Sequence, residues 1–225
     1  MKNISGCLIC YNEEKVIRRA LESLSKVVDE IVLYDSFSTD KTLDIAKEFG
    51  CTIYQHEFDN HRNQKNRAIE KCTKDWIFLI DADEYLEQKL IDNVESLTNN
   101  TEMIDAFTFP RKNYIDNDGP QGFPDFQTRL FRNYVRHFGH PFHHRADGNS
   151  KRNTVVMDKG CIMHKKTLQR QEHQNRLYYS LRPQDYNNIP PNGAEDVVVD
   201  PEATKDAENV NVYKDFILKN KPRKI

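Results

Sequence analysis

The sequence predicts an α/β protein with a mostly parallel central sheet and a C-terminal helical extension. Strand-like and helix-like segments alternate four times within roughly a hundred residues, the pattern of βαβ units with right-handed crossovers. Five uninterrupted apolar residues, Trp76 to Ile80, indicate a strand that is buried on both faces, as in a parallel sheet. A chain of 225 residues can hold one such domain with an appendage.

The elements of the first half follow in order. Residues 4–10 form the first predicted strand, and Asn12 is expected to cap a helix with acidic residues in its first turn. A second strand, 30–34, leads to a helix that Asp40 caps and Gly50 terminates. The segments that follow are a strand at 51–54, a polar helix start at 59–69, the Trp76 strand, a helix at 86–97, and a strand at 106–109 that Pro110 closes.

The composition changes at residue 110, where Arg, His, Phe and Gly become frequent. The patterns there predict short strands at 127–131, 135–138 and 154–157 and a helix at 165–181. Three prolines and three asparagines in 182–193 are typical of an irregular linker. The expected organisation is a domain at 1–181, a linker at 182–200, and an amphipathic helix with a basic tail at 201–225.

Composition excludes several classes of protein. The 33 basic and 35 acidic residues give a net charge of -2, so no overall field favours nucleic acid or membrane. The apolar runs are far shorter than the ~20 residues that span a bilayer, and the amino terminus lacks the features of a signal peptide. Five cysteines in mostly apolar patterns are expected to be reduced thiols of a cytoplasmic protein. The basic tail predicts weak attraction to the inner face of a membrane.

Polar side chains follow three of the predicted strands. Tyr11, Asn12 and Glu13 come after the first strand, Asp35 after the second, and the segment Asp81-Ala82-Asp83 after the Trp76 strand. The carboxyl ends of parallel strands meet at one edge of the sheet, where open α/β sheets bind ligands. Neither Gly-rich phosphate loop of α/β proteins is present, so these residues replace it.

The acids after the Trp76 strand carry the strongest chemical signal. Asp81 and Asp83 repel each other unless a cation relieves them, and Mg²⁺ or Mn²⁺ bridging to phosphate oxygens suits such a pair. The alternative is a structural role in which Asp83 or Glu84 caps a helix that starts near Leu86.

Four ordered motifs resemble the family-2 glycosyltransferases, the large inverting group with the GT-A fold. Cys10–Glu14 is similar to the family's opening strand end, and Asp35–Thr42 to its D-S-x-S-x-D-x-T turn. Gln64–Ala68 resembles the Q-R-N-x-A helix start of one subgroup, and Asp81–Glu84 its metal-binding D-x-D. That subgroup includes bacterial enzymes of lipopolysaccharide-core and related glycan assembly. The resemblance runs from residue 4 to about residue 165.

The resemblance implies a three-layer α/β/α sandwich, with a nucleotide-sugar-binding half at 1–109 and an acceptor-side half at 110–181. It implies that Asp35 accepts a hydrogen bond from the base edge and that Lys65 offers a point charge near the phosphates. Lys65 and Arg67 are alternatively part of a solvated helix face. The implied donor-site residues are Tyr11, Asn12, Glu13, Asp35, Gln64, Lys65, Asn66, Arg67, Asp81 and Ala82.

The metal and the general base are also implied by the resemblance. Asp83 would ligate the divalent cation that bridges the diphosphate, and His164 matches a late histidine that turns toward the metal. The alternative for His164 is a strand-end histidine bonded to the backbone. Where the subgroup has a His-Glu pair, this chain has His143 and His144, so the candidate bases are His144, Asp125 and Glu84.

The acceptor side is expected in the basic, aromatic and His-rich stretch 110–152, with Arg129 and His143 as contacts. Three acceptor classes suit it: a glycan, a lipid-linked glycan, and a modified nucleic-acid base. The predicted function is metal-dependent, inverting transfer of a sugar from a nucleotide-sugar donor, with UDP favoured. The alternatives are a nucleotidyltransferase and a non-catalytic module that binds nucleotide sugars or glycans.

Overall fold

The computed structural model describes residues 3–99, 104–135 and 160–172, and the backbone alone at 154–156. These residues form two compact units. The first contains 3–99, 104–110, 126–135, 154–156 and 160–163, and the second contains 111–125 and 164–172. The predicted linker 182–200 and tail 201–225 lie outside the described residues, as do 136–138 and 173–181 of the predicted strand and helix.

The elements alternate through the first half as predicted. In chain order they are β1 (Ile4–Cys10), α1 (Ile17–Leu24), β2 (Glu30–Asp35), α2 (Thr42–Glu48), β3 (Thr52–Gln55), α3 (His61–Glu70), β4 (Trp76–Leu79), β5 (Glu84–Leu86), α4 (Gln88–Thr98), β6 (Ala106–Ile115), β7 (Asp118–Arg132), β8 (Thr154–Val156) and β9 (Ile162–Lys166). None of the helices in this described part of the chain is long and apolar enough to cross a membrane.

The sheet is mixed, with a parallel portion at its start. Hydrogen-bonded neighbours run in the order β3-β2-β1-β4-β7-β6-β9-β5, and β8 lies beside β6. The pairs β1–β2, β1–β4 and β2–β3 are parallel, whereas β4 and β7 are antiparallel. The register places Cys10 opposite Asp35, so the ends of β1 and β2 reach the same sheet edge.

Helices cover both faces of the parallel strands, which confirms the three-layer sandwich. Ile4 and Leu8 of β1 belong to one buried cluster with the apolar residues of α1, α2 and α4. Cys7 and Leu79 belong to a second cluster with Ala68 and Ile69 of α3. This division follows from the two-residue period of a strand, which sends successive side chains to opposite faces.

Two helix starts differ from the predictions. Asn12 does not cap α1, which begins at Ile17 after a turn in which Glu13 O accepts the N–H groups of Val16 and Ile17. Asn12 instead has a φ of 54°, a left-handed conformation. The helix expected from residue 86 begins at Gln88, because residues 84–86 form β5, and neither Asp83 nor Glu84 caps it.

The second helix boundary agrees with the sequence pattern. The Asp40 carboxylate accepts the N–H of Thr42, the first residue of α2, at 2.9 Å. Gly50 follows the helix with a φ of 67°, the left-handed conformation that glycine adopts without a steric penalty. Pro110, however, does not close β6, which continues to Ile115, because its fixed φ is compatible with an extended chain.

Candidate active site

The loops after β1 and β2 are joined by reciprocal hydrogen bonds at the carboxyl edge of the parallel strands. Asn12 donates its backbone N–H to Ser38 Oγ at 2.8 Å, and its Oδ1 accepts the N–H of Thr39 at 2.8 Å. Asparagine tolerates the left-handed backbone better than most residues, and this conformation directs both groups toward the neighbouring loop. The structure therefore brings together two of the three strand ends that the sequence singled out.

The same two loops are connected further along the chain. Thr42 Oγ1 accepts the N–H of Glu13 at 2.7 Å, and Asp40 Oδ2 accepts the N–H of Glu14 at 3.1 Å. In return, Glu14 Oε2 accepts the N–H of Lys41 at 3.1 Å. Backbone donors that would otherwise face water are thus used to fix the shape of this edge.

Asp35 lies below the loop rather than on its surface. Its side chain is fully buried, and its Oδ2 accepts the N–H of Ser38 and Nε2 of Gln55, each at 2.9 Å. Its Oδ1 accepts the hydroxyl of Ser38 and the thiol of Cys10. Burial raises the pKa of Cys10, and the neighbouring Asp35 carboxylate adds to this, so the thiol stays protonated and donates.

The resemblance implied that Asp35 contacts the edge of a base, whereas in the structure its side chain is buried beneath the loop. The carboxylate accepts hydrogen bonds from Ser38, Gln55 and Cys10, and those from Ser38 hold the loop that follows β2. Two large aromatic side chains on these loops are exposed to solvent: Tyr11 is 58% exposed and Phe37 is 51% exposed. Tyr11 was predicted from the sequence to lie in the donor site, whereas Phe37 was not.

Beyond β4, four charged side chains form a buried network. Lys65 Nζ lies 2.7 Å from Asp81 Oδ1, and Arg129 Nη2 lies 2.8 Å from Asp81 Oδ2. The same Arg129 nitrogen lies 2.6 Å from Glu84 Oε1. Lys65, Arg129 and Glu84 are buried, whereas the Asp81 side chain keeps 27% of its surface exposed. Two cations therefore hold the one carboxylate of this network that reaches the surface.

This network corrects two predictions. Arg129 was expected at the acceptor side, but it has no exposed surface and pairs with Asp81 and Glu84. The alternative that Lys65 lies on a solvated helix face is wrong, because Lys65 is buried against Asp81, whereas its place near the phosphates stays a prediction. Burial lowers the pKa of Lys65, and Asp81 opposes this effect. The burial of Arg129 could have been predicted from the sequence. Arg129 and Phe131 are two residues apart in a predicted strand, so their side chains lie on the same face of the sheet.

Glu84 is a structural residue rather than a base. It is fully buried, its Oε1 pairs with Arg129, and its Oε2 accepts the N–H of Asp81 at 3.0 Å. A general base must reach the proton of a substrate hydroxyl, and a carboxylate without exposed surface does not. The proposal of Glu84 as the base is therefore wrong.

Asp83 is the second acid of the pair, and 6% of its surface is exposed beside the buried Ala82. No group of three or more His, Cys, Asp or Glu side chains within the described ranges is arranged to hold a metal ion. Mg²⁺ characteristically binds one or two carboxylates together with substrate phosphates rather than a cage of protein ligands. The donor chemistry here, two carboxylates at the end of one strand, fits a cation that the substrate helps to hold.

Helix α3 supports this edge from below. Gln64 is buried and donates Nε2 to Ser36 Oγ at 3.0 Å and to the backbone oxygen of His56 at 3.2 Å. Arg67 donates to Gln64 Oε1 at 3.0 Å and, through two nitrogens, to Asp59 at 2.8 Å each. These hydrogen bonds lower the pKa of Asp59 well below its usual range. Asn66 lies on the same helix and is half-buried.

The second unit contains a hydrogen-bonded chain of four side chains. Arg111 lies 2.6 Å from Asp125, which also accepts Nδ2 of Asn113 at 2.9 Å. Oδ1 of Asn113 lies 2.7 Å from Nδ1 of the buried His164. Because this oxygen only accepts, Nδ1 carries the proton, and the lone pair of a neutral ring is on Nε2. His164 is thus bonded to a side chain of the second unit through Nδ1.

The candidate base Asp125 lies in this chain, where its carboxylate orients Asn113. The other candidate base, His144, and the acceptor-side candidate His143 lie outside the described residues.

The mixed sheet with helices on both faces and acids at a strand end is typical of the GT-A glycosyltransferases. The chain belongs to glycosyltransferase family 2, because the family model described as "Glycosyl transferase family 2" matches residues 5–170. This is the family that the motifs predicted.

Curated relatives agree with this assignment. An uncharacterised glycosyltransferase of Rickettsia typhi is 41% identical over 95 residues, which are 42% of this chain and 32% of the relative. The lipopolysaccharide core biosynthesis glycosyltransferase LpsC of Rhizobium meliloti is 33% identical over 117 residues, covering 50% of this chain and 43% of LpsC. The chain thus spans less than half the length of these relatives.

Solved structures share the fold. The crystal structure of S. aureus TarS in complex with UDP-GlcNAc aligns with a TM-score of 0.54 and 19% identity, covering 72% of this chain and 58% of TarS. The mannosyltransferase PcManGT of Pyrobaculum calidifontis, in complex with GDP-Man and Mn²⁺, aligns with a TM-score of 0.51 and 14% identity, covering 72% of this chain and 56% of PcManGT.

Proposed function

We propose that this chain is a metal-dependent, inverting glycosyltransferase that moves a sugar from a nucleotide-sugar donor, with a UDP-sugar favoured, to a hydroxyl group of a glycan or lipid-linked glycan. The observation that carries the proposal is the acid pair after β4, in which Lys65 and Arg129 hold Asp81 beside Asp83. The names of LpsC, a lipopolysaccharide core enzyme, and of TarS with bound UDP-GlcNAc support the acceptor and donor classes.

The first unit would bind the donor through residues at its carboxyl edge. Tyr11 offers an aromatic face for the base, and the loop that carries Asn12 and Glu13 is fixed by its bonds to the β2 loop. Asp81 accepts hydrogen bonds in a single orientation, because a cation holds each of its oxygens. Gln64 keeps the β2 loop in place through Ser36.

A divalent cation, Mn²⁺ or Mg²⁺, would be held by Asp83 and would neutralise the charge that builds on the departing diphosphate. The contribution of Asp83 itself is a carboxylate whose position is set by the short segment between β4 and β5. The role of His164 as a further ligand stays a prediction.

The inverting reaction also requires a group that takes the proton of the acceptor hydroxyl. Asp125 accepts hydrogen bonds from Arg111 and Asn113. These bonds give it a structural role in the second unit that does not involve the proton of the acceptor. We therefore favour His144 as the base, because imidazole is the side chain whose ordinary pKa is suited to proton transfer near neutrality.

The donor is tested by thermal unfolding with a panel of nucleoside diphosphates and nucleotide sugars, with and without Mn²⁺. A ligand at ~100 times its dissociation constant adds about 2.7 kcal/mol to the free energy of unfolding. We expect one nucleotide family to raise the melting temperature only when Mn²⁺ is present. A folded protein that no member of the panel stabilises would refute the proposal.

The matched variants for this experiment are Asp83→Asn and Asp44→Asn. Asp83→Asn keeps the shape of the side chain and is expected to abolish the Mn²⁺-dependent shift and lower turnover by about a hundredfold or more. Asp44 is an exposed acid on α2, so Asp44→Asn should behave as wild type. The anomeric configuration of the product, read by NMR, then tests inversion.

A further inference from the structure

Phe37 combines two unfavourable features. Its φ is 62°, in the left-handed region, and 51% of its surface is exposed. For a bulky side chain this backbone conformation is an outlier, and glycine is the residue that adopts it without cost. Residues held in such conformations persist when the surrounding structure fixes them, and they cluster at ligand sites.

The residues on both sides of Phe37 are fixed. Ser36 Oγ accepts Nε2 of the buried Gln64 at 3.0 Å, and Ser36 N–H donates to the backbone oxygen of Cys10 at 3.0 Å. Ser38 donates its N–H and its hydroxyl to the buried Asp35. The aromatic ring is therefore carried by a loop whose neighbouring residues have little freedom.

The position of this loop suggests what the ring contacts. Phe37 follows β2, and Asp81 and Asp83 follow β4, with β1 between the two strands. Neighbouring strands lie about 4.8 Å apart, so the two loops are separated by about 10 Å along the sheet edge. This spacing is comparable to the distance from the base to the diphosphate of an extended nucleotide. Tyr11, a second exposed aromatic residue, lies on the loop after the strand between them.

We propose that Phe37 stacks on the nucleobase of the donor and, with Tyr11, forms the aromatic part of the donor site. This inference rests on the proposed function, because it requires that a nucleotide binds at this edge. Aromatic side chains bind the faces of bases by stacking, whereas phosphates require polar or cationic partners. The interaction explains why a phenylalanine occupies a backbone position that suits glycine.

The test uses two ligands and the variant Phe37→Gly. Affinities for UDP and for inorganic pyrophosphate are measured by titration calorimetry in the presence of Mn²⁺, with GDP, CDP and ADP replacing UDP if one of them binds more tightly. Loss of a stacked ring is expected to weaken nucleoside diphosphate binding about five- to a hundredfold. Pyrophosphate has no base, so its affinity should be unchanged.

The melting temperature separates a binding role from a structural one. Glycine relieves the left-handed strain, so Phe37→Gly should melt at or above the temperature of wild type. Two controls match the two features of Phe37: Asp116→Gly relieves a φ of 52° in the second unit, and Leu168→Ala removes an apolar side chain that is 53% exposed. Neither control should change nucleotide affinity.

Four results would overturn the inference. If wild type binds nucleoside diphosphates and Phe37→Gly binds them equally well, Phe37 has no role and the proposed function stands. If Phe37→Gly weakens UDP and pyrophosphate equally, or lowers the melting temperature, the residue maintains the loop rather than the base contact. If wild type binds no nucleoside diphosphate, the proposed function and this inference fail together.

Discussion

Lys65 and Arg129 occupy the two carboxylate oxygens of Asp81 at 2.7 and 2.8 Å, and Arg129 also pairs with the buried Glu84. Two acids and two bases thus balance their charges below the sheet edge. Removal of one member leaves an uncompensated charge in a place that water does not reach, which is far costlier than breaking a pair at the surface.

The variant Arg129→Met is expected to lower the free energy of unfolding by about 3–5 kcal/mol, because it leaves Glu84 buried without its guanidinium partner. Adding Glu84→Gln should recover part of this loss. The measurement is denaturant unfolding. The control is Arg18→Met, which breaks a surface pair with Glu48 and should cost about 0–1 kcal/mol. Equal losses in the two single variants would show that the buried network has no special energetic role.

His61, the first residue of α3, links stability to pH. Burial lowers its pKa from 6.5 to about 4, and the nearby Lys65 acts in the same direction. The unfolded chain takes up a proton near pH 6.5, whereas the folded protein does so only near pH 4. The unfolded state therefore binds more protons between these values, and stability falls as the pH is lowered through this window.

We expect the variant His61→Gln to reduce this dependence, since glutamine does not titrate. The contribution of His61 to the loss of unfolding free energy between pH 6.5 and 4 is no more than about 3 kcal/mol. Denaturant unfolding at several pH values measures it. An unchanged slope in the variant would mean that other groups cause the acid sensitivity.

Two glycines occupy positions that disfavour a side chain, each for a different physical reason. Gly50 follows α2 with a φ of 67°, and a Cβ built there meets no atom within 4 Å. Gly160 precedes β9, and a Cβ there would lie 2.4 Å from the backbone nitrogen of Leu90 in α4. The first glycine is required by its backbone conformation, and the second also by the close approach of a helix.

The variant Gly50→Ala should therefore lose about 1–2 kcal/mol, the cost of a left-handed alanine. Gly160→Ala should lose more, because α4 must move away from the new methyl group in addition to the backbone penalty at a φ of 121°. Denaturant unfolding of both variants gives the comparison. A smaller loss at Gly160 would contradict the packing argument.

Elements that the sequence predicted well are those with strong local patterns. The five apolar residues from Trp76 to Ile80 are all buried, and Gly50 ends its helix as expected. The predicted starts of the helices after Asn12 and Asp83 were less accurate. Short polar side chains at these positions are typical of helix N-caps. In both cases competing hydrogen bonds, to the neighbouring loop and within β5, determined the backbone.

For the molecule as a whole, the proposed function predicts that nucleotide and cation binding are coupled. In that proposal Asp83 provides a carboxylate ligand to the cation, and Lys65 and Arg129 hold the neighbouring Asp81. The cation should therefore bind weakly alone and more tightly when a diphosphate completes its ligands. Each ligand must tighten the other by the same factor.

Calorimetric titration of Mn²⁺ with and without saturating UDP tests this coupling. We expect at least a tenfold gain in Mn²⁺ affinity when UDP is bound, about 1.4 kcal/mol of coupling free energy. Asp83→Asn should remove the gain. Equal Mn²⁺ affinity in the two titrations would indicate a cation site formed by the protein alone.

The α/β architecture, the family and the residues that gather at the carboxyl edge of the parallel strands could be predicted from the sequence alone. Periodicity reports which face of an element is buried, and strand ends report which residues reach the ligand edge, so both are local properties. Tyr11, Asn12 and the acids after β4 could be located for this reason.

The partners of these residues, in contrast, depend on tertiary packing. Arg129 lies 48 residues from Asp81 and 45 from Glu84 in the chain, and Gln55 lies 20 residues from Asp35. No local pattern encodes a pairing over such separations, because it depends on how strands from different parts of the chain are placed side by side. Packing therefore turned Arg129 from an expected surface contact into a buried partner, and turned Asp35 into the support for the loop that presents Phe37.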